Sequence, residues 1–144
     1  MGNDYGIMVE IKKINPESLR IPTKSYSQGV LVPAGSDVMF VTGQLPQDID
    51  GNIVAPNDVK VQTELVFSRI STILEEGGMS LDDVVKVGLF VKNIKDSKII
   101  SGIRDEVFKN SKPASTLVEV SNFVKDGCCV EIEVVAARVG GRRR

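Results

Sequence analysis

The sequence predicts an α+β protein in which two helices cover one face of a mixed β-sheet. Apolar residues recur at helical spacing over residues 59–74, whereas most other apolar residues fall in short β-branched runs bounded by glycine, proline, asparagine or aspartate. In chain order these segments give strand, strand, strand, helix, strand, helix, strand, strand. Such a sheet has a second face without helices. If that face is apolar, other copies of the chain are expected to bury it.

Three strands are predicted ahead of the first helix, over residues 9–14, 25–32 and 38–41. Gly29 interrupts the second strand, and residues 33–37 have the composition of a hairpin turn between the second and third. The third strand is a continuous apolar run, Val-Met-Phe-Val, as expected of a strand that is buried on both faces.

The longer helix is predicted to begin after Asn57 or Asp58, either of which is a good N-cap, and to end near Glu76. The pair Gly77-Gly78 supplies a left-handed stop. The face that packs on the sheet is a stripe at helical spacing, formed by Val59, Gln62, Val66, Ile70, Ile73 and Leu74.

Four further elements are predicted in the second half of the chain. They are a strand over residues 84–91, a helix over residues 96–109, and two closing strands over residues 115–121 and 130–139. Lys112-Pro113 ends the helix, and an Asp126-Gly127 turn lies between the closing strands.

Composition excludes several classes of function. The net charge is −1 with both signs mixed along the chain, so nothing global attracts nucleic acid or an anionic membrane. No histidine occurs, which excludes imidazole as a general base and removes the commonest zinc ligand. Cys128 and Cys129 are adjacent and offer neither a metal knuckle nor a disulfide framework. We therefore expect no metal site, no membrane segment and a reducing, cytoplasmic location.

The length of 144 residues suits one domain with a single core, covering residues 1–144. Residues 1–8 and residues 140–144, which read Gly-Gly-Arg-Arg-Arg, are expected to be flexible tails.

Four motifs occur in order along the chain. They are residues 26–30 (Tyr-Ser-Gln-Gly-Val), residues 41–46 (Val-Thr-Gly-Gln-Leu-Pro), residues 84–93, and the C-terminal pattern Pro113-Ala114-x-x-x-Val118-Glu119-Val120 with Val130-Glu131-Ile132-Glu133. Together, over residues 10–138, they resemble the reactive-intermediate deaminase family, RidA-like proteins that are also called the endoribonuclease L-PSP family.

This resemblance implies a chorismate-mutase-like βββαβαββ fold, a homotrimer, and a small-molecule ligand in each cleft between neighbouring subunits. Active members of the family hydrolyse reactive imines and enamines to 2-oxo acids and ammonia, without a metal or organic cofactor. Carried onto this sequence, the resemblance implies substrate-binding roles for Tyr26, Thr42, Gly43, Ser101, Ser115 and Thr116. The residues alone leave simpler alternatives open, because Tyr26 suits a half-buried strand aromatic and Gly43 a strand-end glycine.

Glu131 and Glu133 alternate with apolar residues, so both carboxylates are expected on one face of the last strand. From the residues alone, a solvent-facing edge explains this pair as well as a catalytic site does. The resemblance favours Glu131 as the catalytic group, which holds or activates the attacking water, and gives Glu133 a structural role.

Position 115 departs from the family pattern, in which an arginine pairs with the substrate carboxylate. Ser115 has one hydroxyl donor and no charge, which predicts roughly 10- to 150-fold weaker handling of the standard imino acids. Ser101 departs as well, since many relatives carry asparagine there. Arg104, one helical turn further on, is a possible compensating residue, but we expect an exposed helix arginine that does not restore the pocket.

Three functions remain open from the sequence. A hydrolytic deaminase with altered or reduced activity on standard imino acids is favoured, because Gly43 and Glu131 are retained. A non-catalytic metabolite-binding or regulatory module is the alternative, because the arginine is missing at Ser115. An endoribonuclease is disfavoured, since the chain has no histidine, two tyrosines and a net charge near zero.

Overall fold

The computed structural model describes residues 9–140. Its strands and helices are β1 (Lys12–Ile14), β2 (Gly29–Leu31), β3 (Asp37–Gln44), α1 (Val59–Glu76), β4 (Val84–Val91), α2 (Ser97–Val107), β5 (Ala114–Glu119) and β6 (Val130–Arg138). The predicted order of elements is confirmed, although β1 starts later than predicted. The tails predicted at residues 1–8 and 140–144 lie outside the described residues, apart from Gly140. Neither helix in the described range has the length and apolar character needed to cross a membrane.

Four strands form one mixed sheet in the order β3–β6–β4–β5. β6 is antiparallel to both β3 and β4, and β4 runs parallel to β5. β1 and β2 form a separate antiparallel pair. The prediction of a hairpin over residues 33–37 is therefore wrong, because β2 pairs with β1 instead of β3. The predicted Asp126-Gly127 turn is present, and Gly127 adopts the positive φ (86°) that favours glycine.

The second strand is shorter than predicted because side-chain contacts hold residues 25–28 out of the ladder. Ser25 Oγ donates to the backbone oxygen of Asp105 (2.7 Å). Ser27 forms one isolated parallel bridge, to Ala114 at the start of β5. These long-range bonds replace the regular strand pairing that the local sequence predicted, and they fix this segment against α2 and β5.

α1 begins and ends as predicted. Asp58 is the N-cap, since its Oδ1 accepts a hydrogen bond from Val61 N (3.1 Å). Gly78, just beyond the helix, has a φ of 79°, which is the left-handed conformation of a C-terminal stop. The middle of the predicted stripe is fully buried against the sheet, at Val66, Ile70 and Leu74.

The sheet has one covered face and one open face. α1 and α2 pack on the covered face, where Ile132 of β6 is fully buried. The open face carries exposed apolar side chains, with Phe40 78% exposed and Val38 and Val118 also exposed, alongside the exposed charged residues Lys86 and Glu133. The expectation that strand 38–41 is buried on both faces is therefore not met within one chain. These exposed apolar side chains favour the association that the sequence predicts.

Candidate functional site

Glu131 and Gly43 are in direct contact on the open face of the sheet. β6 presents Glu131 on this face because Val130 and Ile132 point into the core. A Cβ atom on Gly43 would lie 2.1 Å from Glu131 Oε2, so the carboxylate occupies the space that a side chain at position 43 would fill. Glycine is therefore required at position 43 while the carboxylate keeps this place.

Two cavities lie beside the carboxylates on the same face. One, of about 370 Å³, is lined in part by Thr42, Lys86 and Glu133. The other, of about 210 Å³, is lined in part by Glu131 and Glu133. Lys86 Nζ also donates to Thr116 Oγ1 (2.9 Å). The open face thus brings together four of the predicted site residues, namely Thr42, Gly43, Thr116 and Glu131.

Gln62 fixes the chain immediately ahead of β6. Its side chain is fully buried, and Nε2 donates to the backbone oxygens of Gly127 (2.9 Å), Val54 (3.1 Å) and Ala55 (3.1 Å). Its Oε1 accepts a hydrogen bond from Cys129 N (2.7 Å). These bonds tie α1 to the start of β6 and so help to set the position of the carboxylates on that strand.

The adjacent cysteines are buried, protonated thiols. Burial raises the pKa of Cys128, and the negative charge of Glu131 raises it further. Burial also raises the pKa of Cys129. The thiolate is the nucleophilic form of cysteine, so neither thiol is activated at neutral pH. Over residues 9–140, no three or more His, Cys, Asp or Glu side chains come close enough to hold a metal ion.

Arg104 is buried beside the start of β5, and the expectation of an exposed helix arginine is wrong. Only 8% of the residue is exposed. Nη1 donates to Ser115 Oγ (3.1 Å), while Nε and Nη2 donate to Asp105 Oδ1 (3.2 and 2.9 Å). Arg104 Cζ lies 5.4 Å from the centre of the Tyr26 ring, within the range of a cation–π contact. These partners compensate the desolvation of the guanidinium, which a helix arginine on its own would avoid by facing solvent.

The predicted site residues therefore form two groups. Ser115 of β5 pairs with Val87 of β4, which in turn pairs with Val134 of β6, and both valines are buried under the helices. Glu131 is an odd number of residues from Val134 on β6, which puts it on the opposite face. Tyr26, Arg104 and Ser115 form the group on the covered side. Ser101 is partly buried one turn before Arg104 on α2.

Asp105 and Lys86 are site residues that sequence reasoning missed. Asp105 Oδ1 accepts from Ser25 N (3.2 Å) as well as from Arg104. Neighbouring residues of a helix do not normally face one another, so an Arg-Asp dipeptide gives no signal of this pair. Lys86 could have been placed on the open face by its alternation with the buried Val87.

The fold and the site define a class of small α+β proteins, with two helices behind a mixed sheet and a glycine–glutamate contact on the open face. The chain belongs to the endoribonuclease L-PSP family, whose family model matches residues 17–138. The family resemblance of the motifs is thereby confirmed.

Relatives of the chain carry several descriptions. A RutC family protein of Pyrococcus abyssi is 40% identical over 115 residues, which cover 80% of this chain and 87% of that protein. AldR of Lactococcus lactis, a suggested regulator, is 35% identical over 112 residues, covering 77% and 85%. A 2-iminobutanoate/2-iminopropanoate deaminase of Dermatophagoides farinae is 28% identical over 114 residues, covering 79% and 86%.

Solved structures share the fold. A Rid family protein of unknown function from Yersinia pestis superimposes with a TM-score of 0.80 at 22% identity, covering 89% of this chain and 98% of that one. A second Rid family protein from the same organism gives a TM-score of 0.66 at 33% identity, covering 90% and 100%. The α+β fold with two helices and a mixed sheet is thus the fold of this family.

Proposed function

We propose that the protein is a hydrolytic deaminase of reactive imine or enamine intermediates, which releases a 2-oxo acid or another carbonyl product and ammonia. The contact between Glu131 and Gly43 carries the proposal, because it holds a carboxylate beside open cavities against a backbone without a side chain. The relative from Dermatophagoides farinae, named as a deaminase of two imino acids, supports the reaction class.

Imine hydrolysis requires one water molecule and a group that accepts its proton. In the proposed reaction, the Glu131 carboxylate takes a proton from water while the water oxygen bonds to the imine carbon. The imine nitrogen takes up a proton, which gives a carbinolamine. The C–N bond then breaks with its electron pair going to the nitrogen. The hydroxyl proton is transferred by way of the Glu131 carboxylate to that nitrogen, which leaves as ammonia, and the hydroxyl oxygen becomes the carbonyl oxygen. No oxidation or reduction occurs, so the chemistry needs no redox partner.

We also propose that the protein acts as a cytoplasmic homotrimer with its ligand in clefts between subunits. A homotrimer is what the resemblance of the sequence motifs to this family implies. The exposed Phe40 and Val38 at one edge of the open face and Val118 at the other support association, because large apolar side chains are unfavourable in water.

The test compares two glutamates on the same strand and face. 2-Iminobutanoate is generated in solution, and 2-oxobutanoate release above the spontaneous rate is measured for the natural protein, Glu131→Gln and Glu133→Gln. Glu131→Gln is expected to lower the acceleration by about 100-fold, the usual contribution of a general base. Glu133→Gln removes the same charge and is expected to change it less than about threefold. Equal losses in both variants, or no loss in either, would contradict the role of Glu131.

A second candidate function is a metabolite-binding or regulatory module on the same scaffold. The uncharged Ser115 and the similarity to AldR favour it. A folded natural protein that binds 2-oxobutanoate but does not accelerate imine hydrolysis would support this module over the deaminase. RNA cleavage has less support, because the chain has no histidine and a net charge of −1.

A further inference from the structure

A second charged group, the guanidinium of Arg104, lies away from the Glu131–Gly43 contact. The Arg104 side chain is only 10% exposed. A guanidinium has five N–H donors, and the bonds to Asp105 and Ser115 use three of them. Within the described part of the chain, one N–H on each terminal nitrogen therefore remains for a ligand.

Arg104 places its charge beside Ser115 of β5, the position at which the family resemblance implies an arginine. α2 delivers the side chain, and Nη1 ends 3.1 Å from the hydroxyl of Ser115. The small serine leaves room for this approach, whereas an arginine at position 115 would compete for the same space and repel the guanidinium. Tyr26, from the first family motif, lies against the same cation. Two positions of the family's substrate site, 26 and 115, thus converge on Arg104.

We propose that Arg104 holds the carboxylate of the ligand, supplied by α2 in place of a strand arginine, and that Asp105 sets the strength of this contact. The inference rests on the proposed function for its ligand class, a small 2-oxo or 2-imino acid. The two remaining N–H groups can donate to the two oxygens of one carboxylate. Asp105 neutralises part of the positive charge, so the ligand is held less tightly than by an unpaired guanidinium. This inference replaces the sequence-based expectation that Arg104 does not restore the pocket.

The test is calorimetric binding of 2-oxobutanoate to the full chain, with methyl 2-oxobutanoate as a neutral ligand of similar shape. Arg104→Met removes the guanidinium and keeps an apolar side chain. Its affinity for 2-oxobutanoate is expected to fall about 10- to 100-fold, while binding of the ester stays unchanged. Arg138→Met is the matched control, because it removes the same charge from the far end of β6. This control is expected to stay within about twofold of the natural protein.

The Asp105→Asn variant is expected to shift the affinity for 2-oxobutanoate in the opposite direction. This measurement does not depend on whether the Arg104→Met protein folds. Asparagine keeps an oxygen that can accept from Ser25 N but removes the negative charge beside the guanidinium. Binding of 2-oxobutanoate is expected to tighten about three- to fivefold, the upper range for a partly exposed ion pair.

Three results would overturn the inference. They are an unchanged 2-oxobutanoate affinity in Arg104→Met, an equal loss for the acid and the ester, and no binding by either the natural protein or Asp105→Asn. Because binding is measured without turnover, the two proposals can fail separately. Binding through Arg104 without imine hydrolysis would refute the deaminase alone. Hydrolysis with an unchanged KM in Arg104→Met would refute this inference alone.

Discussion

Replacing Gly43 by alanine displaces the Glu131 carboxylate without removing any polar group. The new Cβ atom would lie 2.1 Å from Oε2, 3.0 Å from Cδ and 3.2 Å from Cγ of Glu131, whereas ordinary contact begins at 3.4 Å. The carboxylate must therefore move by more than about 1 Å. All three atoms belong to one flexible side chain, so the backbone can stay in place.

The expected effect on stability is small. Forcing Glu131 away from its preferred rotamer costs about 0.5–1.5 kcal/mol. Alanine offsets about 0.4–1 kcal/mol of this, because it lowers the conformational entropy of the unfolded chain. The free energy of unfolding should change by less than about 1 kcal/mol, and Tm by less than about 4 °C. In contrast, misplacing a catalytic group by about 1 Å lowers the rate about 100-fold.

The assay is 2-oxobutanoate release from 2-iminobutanoate, measured together with thermal unfolding of the same samples. Gly88→Ala is the matched control, because its Cβ would meet Glu133 on the same face, with Cγ at 3.2 Å. This contact requires a shift of only a few tenths of an ångström and does not involve Glu131. A Gly43→Ala protein that keeps the natural rate, or one that loses rate only in proportion to its unfolded fraction, would refute the reasoning.

Three further outcomes are expected. Phe40→Glu should dissociate the proposed homotrimer, because Phe40 is 78% exposed on the open face, whereas Ile49→Glu, at a loop residue that is 98% exposed, should not. Light scattering after gel filtration measures the mass, and an unchanged mass in Phe40→Glu would place the interface elsewhere. Gln62→Leu should lower the free energy of unfolding by about 2–4 kcal/mol in urea, because it leaves the Cys129 N–H and the Val54 oxygen without their hydrogen bonds, whereas the oxygens of Ala55 and Gly127 keep backbone donors. A loss below about 1 kcal/mol would contradict this. Burial raises the pKa of Cys128 and Cys129 in the folded protein, so their contribution to stability is full below pH 9.0 and is lost as the pH rises through the folded pKa values. Urea unfolding at several pH values should show this loss in the natural protein and less of it when both cysteines are changed to alanine.

Local sequence signals predicted those parts of the fold that depend on neighbouring residues. Asp58 and Gly78 mark the ends of α1 through contacts within a few residues, and both predictions are confirmed. The alternation in β6 turned Glu131 and Glu133 away from the core for the same local reason.

Features decided by distant contacts could not be predicted in this way. The second strand was overestimated because Ser25 bonds to Asp105, 80 residues further along the chain. The burial of Arg104 depends on Ser115 and Tyr26, which its own helix does not reveal. Arginine on a helix is usually exposed, and only the tertiary structure shows the partners that compensate its burial here.

The separation of the two polar groups has a consequence for assembly. Ser115 faces the helices and Glu131 faces the open side, so the sheet stands between Arg104 and Glu131 of one chain. In the proposed homotrimer, a small ligand that contacts both would take its cation from one subunit and its base from a neighbour. Arg104→Met and Glu131→Gln chains, each impaired alone, would then complement one another in mixed oligomers. Activity per chain would also fall on dilution, because fewer shared sites are assembled when the subunits dissociate.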